Sequence, residues 1–129
     1  MKYFYTWQEL DKDIEKISKW AKDKNFKSIY GIPRGGLVVA VALSHRLNLP
    51  LKLHTEEIDS LTLVVDDISD SGKTLLDFEK NMNMKPAVAT LFYHKDTKRM
   101  PDFFLREKKD WVVFPWEIEE SSKYDHHNF

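Results

Sequence analysis

Apolar positions alternate between two spacings along this chain, and the change of spacing divides it into elements. Leu10, Ile14, Ile17 and Ala21 recur at helical intervals behind Thr6-Trp7-Gln8-Glu9, a capping-box pattern with Thr6 as N-cap and Glu9 reaching back. This predicts a first helix over residues 7–23 that packs on one face of a sheet, with Trp7 and Trp20 as core or rim residues. Residues 28–32 form a short apolar run with a Gly-Pro exit and read as a strand. Residues 36–47 are apolar on nearly every side until Ser44-His45-Arg46, which predicts a helix buried against the sheet. Asn48-Leu49-Pro50 ends it, because the residue before a proline seldom stays helical. Further strands are predicted at 51–55, at 61–65 (apolar throughout, as a strand covered on both faces is), at 87–93 and at 111–114. A helix is predicted at 74–82 and a basic loop at 94–101. Strands alternating with helices indicate an α/β fold with a mainly parallel sheet flanked by helices, whose ligands sit at the carboxyl ends of the strands.

The residues at one such end are unusual in combination. Leu63-Val64-Val65 runs into Asp66-Asp67-Ile68-Ser69-Asp70-Ser71-Gly72-Lys73-Thr74 and then into the helix beginning at Thr74. A loop entering a helix N-terminus presents backbone N–H groups and a positive dipole end, which suits a phosphate. Carboxylates beside a phosphate suit sugar hydroxyls or a hard cation. The segment can therefore hold a phosphorylated ribose, with Asp66 and Asp67 toward the sugar and Asp70, Ser71, Gly72, Lys73 and Thr74 around the phosphate. Gly72-Lys73-Thr74 also looks like the end of a P-loop, but that motif needs glycine where Asp67 stands. The plainer alternative is a strand-to-helix turn with a solvated acidic edge, in which Asp70 is a helix N-cap and Lys73 points to solvent.

The same string resembles the 5-phosphoribosyl diphosphate (PRPP) signature of the type I phosphoribosyltransferases. Two further segments carry the resemblance. Ile29-Tyr30-Gly31-Ile32-Pro33-Arg34-Gly35-Gly36-Leu37-Val38 is similar to the family's first strand and pyrophosphate loop. Pro101-Asp102-Phe103-Phe104, continuing to Trp111-Val112-Val113-Phe114-Pro115-Trp116-Glu117, is similar to the base-binding end of the purine branch, nearest to its xanthine–guanine and hypoxanthine members. The motif-bearing core spans residues 27–118, in family order, within a single domain of residues 1–129 that ends in a tail at 118–129.

The resemblance implies roles. Arg34 and Gly35 hold the pyrophosphate, with a non-proline cis peptide at Pro33–Arg34. Asp66, Asp67 and Glu117 lie about a Mg²⁺ ion, and Asp70 is the candidate general base toward the ring nitrogen. Trp111 stacks on the purine (its alternative is a core aromatic), the Val112 backbone reads the base edge, and either His94 or Lys95 contacts the six-position oxygen. Asp70 and Arg34 are the catalytic candidates. The implied reaction is transfer of phosphoribosyl from PRPP to a 6-oxopurine, in purine salvage. A non-catalytic PRPP- or nucleotide-binding regulator of the same fold and a transferase for a non-purine base are the alternatives. Between residues 51 and 60 the chain lacks the long mobile loop of the family, so slow turnover or competing hydrolysis is expected unless another chain or the C-terminal tail covers the site.

Composition narrows the partners. The 129 residues carry a formal net charge of −1, so no long-range field favours nucleic acid or an anionic membrane. There is no cysteine, hence no disulfide or thiolate chemistry, which is compatible with a cytoplasmic protein. No apolar run approaches a membrane span and no signal-peptide pattern is present. His126 and His127 are adjacent and lack the helical spacing of a metal pair. A homodimer is expected.

Overall fold

The structure, a computed structural model, describes residues 1–118. The predicted tail, with His126 and His127, lies outside the described residues apart from Ile118. The elements run β1 (Lys2–Phe4), α1 (Trp7–Lys22), β2 (Ser28–Gly31), α2 (Gly35–Leu47), β3 (Leu51–Lys52), β4 (Thr62–Ser69), α3 (Lys73–Met82), β5 (Ala87–Tyr93), β6 (Arg106–Glu107) and β7 (Trp111–Val113). Five strands form one parallel sheet in the order β3-β2-β4-β5-β6.

The periodicity of β4 explains the layers. Leu63 and Val65 face α1 and α2 in a core with Ile14, Ile17, Val39, Leu43 and Leu91. Val64 points the other way, to Leu75 and Phe78 of α3 with Tyr30, Ile32 and Val88. Each fully buried Ile or Leu contributes about 2 kcal/mol, so packing rather than propensity holds the helices. The Thr6–Glu9 capping box is present, with Glu9 N–H on Thr6 Oγ1 at 3.1 Å and Thr6 N–H on Glu9 Oε1 at 3.0 Å. Asn48 closes α2 in the left-handed region at φ 53°, a conformation that asparagine tolerates.

Three differences from the sequence reading matter. β4 does not stop before Asp66 but continues through both aspartates to Ser69. β3 is only two residues long, and a 3-10 turn at Thr55–Glu57 follows it. The link to β4 is then closed locally: Ile58 is buried beside α3, and Asp59 Oδ1 accepts from Leu61 N at 2.9 Å. Finally, the late strand β7 does not join the main sheet. It pairs in parallel with β1, a strand the sequence pattern did not announce, in the register Lys2↔Trp111, Tyr3↔Val112 and Phe4↔Val113. β6, also too short to show a period, completes the edge of the main sheet beside β5. Trp20 is a rim residue stacked on Phe103 at 4.9 Å, whereas Trp7 is half exposed, 6.0 Å from Trp116.

Candidate active site

Beyond the end of β4 the chain turns through Asp70 and Ser71 to Gly72, which opens α3 at φ 89° and ψ −5°. That left-handed geometry favours glycine, and space demands it as well. A Cβ on Gly72 would lie 2.6 Å from Arg99 N, 2.7 Å from Thr97 Oγ1 and 2.8 Å from Lys98 N. The segment following β5 is therefore the floor of this turn. Lys98 N donates to Ser71 O at 2.9 Å, His94 N donates to Ser69 O at 2.9 Å, and Ser69 Oγ donates to Arg99 O at 2.8 Å. Arg99, almost wholly buried, ties the floor to α3 with Nε and Nη2 on the Glu79 carboxylate at 3.0 to 3.1 Å. Gly72, the N-cap of α3, has no side chain to bond its first amides, so these lie at the positive end of the helix dipole. Ser71 Oγ takes one of them, accepting from Lys73 N at 3.2 Å. The Lys73 side chain is 79% exposed and pairs with Asp77 at 2.7 Å, the solvent-facing arrangement. Asp70 caps nothing; its Oδ2 accepts from Lys108 Nζ at 2.7 Å.

Asp66 and Asp67 are buried at 0% and 3% exposure. Asp67 N donates to Asp66 Oδ1 at 2.8 Å, and Asp66 Oδ2 and Asp67 Oδ1 have no hydrogen-bond donor. Asp67 requires the first glycine at the entrance to α2, and the β4 backbone requires the second. A Cβ on Gly35 would stand 2.0 Å from Asp67 Oδ2, and one on Gly36 would stand 2.6 Å from Val65 O. The Pro33–Arg34 peptide is cis. Gly36 N is spent inside the turn, donating to Ile32 O at 2.9 Å. Arg34 is exposed at the mouth of α2, beside Gly35. Among the described residues no three His, Asp or Glu side chains gather as a metal cage.

One cleft of about 280 Å³ joins the turn at Asp70–Thr74 to β7. Asp67, Asp70, Ser71, Gly72 and Thr74 line one end, and Trp111, Val112, Glu117 and Lys108 line the other. Trp111 is 49% exposed with Lys108 Nζ 5.3 Å from its ring centre, so it is a shelf rather than a core aromatic. Val112 is buried in the cleft wall. Glu117 Oε1 accepts from Phe114 N at 3.0 Å, which commits that oxygen to the turn after β7. Asp66, Arg34, Gly35 and Lys73 do not line this cleft, and neither do His94 and Lys95. His94 Nδ1 accepts from Asp96 N at 3.0 Å, and Lys95 is exposed.

The shelf is carried by the β1–β7 ribbon, and the ribbon by an ionic network. Arg106 donates to both oxygens of the fully buried Asp13, at 2.7 and 3.1 Å, and to Glu9 at 3.3 Å. Tyr5 donates to Asp13 at 2.5 Å and Tyr3 donates to Glu9. Burial, then the Asp13 hydrogen bond, pushes the Tyr5 hydroxyl pKa well up. For Glu9, burial works upward, but the bonds from Tyr3 and Thr6 together with Arg106 hold the carboxyl below its usual value. Sequence reasoning missed Asp13, Arg106, Arg99 and Lys108, because each reads as an ordinary surface charge.

A phosphate turn at a strand's carboxyl end, an adjoining buried acidic pair and an aromatic shelf in one cleft define a phosphoribosyl-binding protein of the α/β class. No family model matches the chain. It is 29% identical over 140 residues to the xanthine-guanine phosphoribosyltransferase of Desulfotalea psychrophila, covering 91% of this chain and 87% of that protein. The purine phosphoribosyltransferase of Pyrococcus horikoshii superposes with a TM-score of 0.78 at 30% identity, over 91% of this chain and 95% of that one. The xanthine-guanine-hypoxanthine phosphoribosyltransferase of Helicobacter pylori shares the fold at a TM-score of 0.81 and 24% identity, over 95% and 98% of the two chains. The protein belongs to the purine branch of the type I phosphoribosyltransferases.

Proposed function

We propose that this protein transfers the 5-phosphoribosyl group of PRPP to a 6-oxopurine (guanine, xanthine or hypoxanthine), giving the nucleoside monophosphate and pyrophosphate. The observation that carries the reading is a single cleft lined at one end by Asp67–Thr74 residues and at the other by Trp111. Amides around Gly72 and the Ser71 and Thr74 hydroxyls hold the 5′-phosphate. Asp66 and Asp67 accept from the ribose hydroxyls. Trp111 fixes the plane of the base, so the ring nitrogen and the sugar's anomeric carbon meet in a near-attack arrangement. The new carbon–nitrogen bond forms as the carbon–oxygen bond to pyrophosphate breaks. Asp70 takes the proton leaving the ring, and the Arg34 guanidinium meets the charge developing on the pyrophosphate.

The residues fit Mg²⁺. That ion characteristically takes one or two carboxylates and completes its shell with water and substrate phosphates, and Asp66 and Asp67 offer such an adjacent pair of carboxylates at the carboxyl end of β4. When bound, the ion supplies further charge neutralisation for the leaving pyrophosphate. Glu117 is the weaker donor, one oxygen being committed to Phe114 N.

No helix among the described residues is long and apolar enough to cross a membrane. We place the reaction in the cytoplasm, where charge retains a phosphorylated sugar donor. A homodimer is proposed as the assembly state. Incubating the protein with PRPP, Mg²⁺ and each purine in turn, and following nucleotide formation, tests the assignment. Product is expected from at least one 6-oxopurine and is expected to fall about a hundredfold or more in Asp67→Asn and Arg34→Ala. Absence of product from every base, or full turnover in both variants, overturns it.

A further inference from the structure

α3 opens at the turn proposed to take the phosphate, yet apolar packing holds it more thinly than the other two helices. Leu75 and Phe78 are its buried residues, against five each in α1 and α2. Two apolar residues press a helix onto a sheet but leave its tilt and its position along its own axis loosely defined. Arg99 supplies the missing constraint. Its Nε and Nη2 donate to the Glu79 carboxylate, in the last turn of α3, at 3.0 to 3.1 Å. Nη2 also donates to Pro86 O in the link to β5 at 3.4 Å, and Nη1 donates to Met100 O at 2.6 Å. The main chain of Arg99 lies under Gly72, and its carbonyl accepts from Ser69 Oγ at 2.8 Å. Both side chains of the pair are nearly enclosed, at 8% and 12% exposure.

We propose that Arg99 and Glu79 are positioning residues, which lock α3 to the 97–99 segment and thereby aim the amides after Gly72 at the phosphate ester. The inference rests on the cleft assignment above. Neither side chain lines the cleft, so the pair acts through the turn. A buried ion pair adds little net stability over a well-packed apolar pair, because desolvation offsets the attraction. What it adds is direction. A guanidinium fork on a carboxylate fixes distance and plane together, whereas apolar burial is non-directional. A displacement of about 1 Å is enough to spoil a binding constellation, and a helix held by two apolar residues can move that far.

IMP and inosine carry the same base and ribose and differ by the phosphate, so the ratio of their affinities reads the phosphate end without requiring turnover. Titration calorimetry of the full chain is expected to show tighter binding of IMP. The double variant Arg99→Met/Glu79→Leu replaces the pair by apolar side chains. Its urea midpoint is expected to hold while the IMP-to-inosine ratio falls about tenfold, the loss of one charge-assisted hydrogen bond, with inosine affinity unchanged. Arg99→Lys keeps a charge beside Glu79 but loses the fork, and is expected to fold and to lower the ratio by less. An undiminished ratio in the folded double variant overturns the proposal. So does an equal weakening of both ligands, which marks a general loosening of the fold. If the double variant does not fold, Arg99→Lys decides, and an undiminished ratio there overturns the proposal. Equal binding of IMP and inosine by the unaltered protein, or binding of neither, removes the cleft assignment and this inference together.

Discussion

The Gly72 end of the cleft, proposed to take the phosphate, stands largely on main-chain hydrogen bonds, and the Trp111 end, proposed to take the base, stands on side-chain ions. Around Gly72 the turn is seated on the 97–99 segment by amide-to-carbonyl and hydroxyl-to-carbonyl bonds, at distances that leave no room for a methyl group. Around Trp111 the shelf hangs on a three-residue parallel ribbon, which Arg106, Asp13, Glu9, Tyr3 and Tyr5 hold to α1. The first arrangement is intolerant of volume, and the Arg99–Glu79 pair ties its floor to α3. The second tolerates volume, since Trp111 is half exposed, and depends on charge.

That contrast can be broken at either end. Gly72→Ala combines a left-handed residue with a Cβ pressed on backbone atoms, and is expected to destabilise the protein by about 4 kcal/mol and to abolish phosphate-ester binding, as read by urea unfolding and IMP calorimetry. Asp13→Ala leaves Arg106 without its main partner. Because Arg106 keeps 32% exposure, the cost is expected at the low end for a broken buried pair, about 3 kcal/mol. KM for the base should rise while KM for PRPP holds; equal changes in both would show that the two halves are not independent. Trp111→Ala removes the stacking face and is expected to raise the base KM about tenfold with little change in melting temperature. Lys73→Ala deletes an exposed helical pair and is expected to change stability by less than about 0.5 kcal/mol. A large loss of PRPP affinity in that variant would place the lysine on the phosphate after all.

The same contrast explains what the amino-acid sequence disclosed. The phosphate half is contiguous, so strand, carboxylates, turn and helix could be read in order from Leu63 to Leu76, and the capping box of α1 could be read locally. Even there the end of β4 was placed too early. Two aspartates look like a strand exit, and only the approach of Gly35 and Gly36 shows why they are buried within it. The base half is assembled from residues near 3–5, 9–13, 106–108 and 111–117. No local pattern marks Asp13 as fully buried or Lys108 as a cleft residue, because their environments are made by segments distant in the chain. Trp111 was identified through its motif, but the partner strand of β7 was not, because a three-residue strand carries too little periodicity.

The pairing of β1 with β7 also sets an order of assembly. A nascent chain extended as far as Arg99 already contains the strands flanking the turn at Gly72 and the segment beneath it, whereas its opening strand still lacks its mate β7. The proposed donor end can thus mature before the proposed acceptor end during synthesis, and a fusion joined ahead of Lys2 bears first on the β1–β7 ribbon.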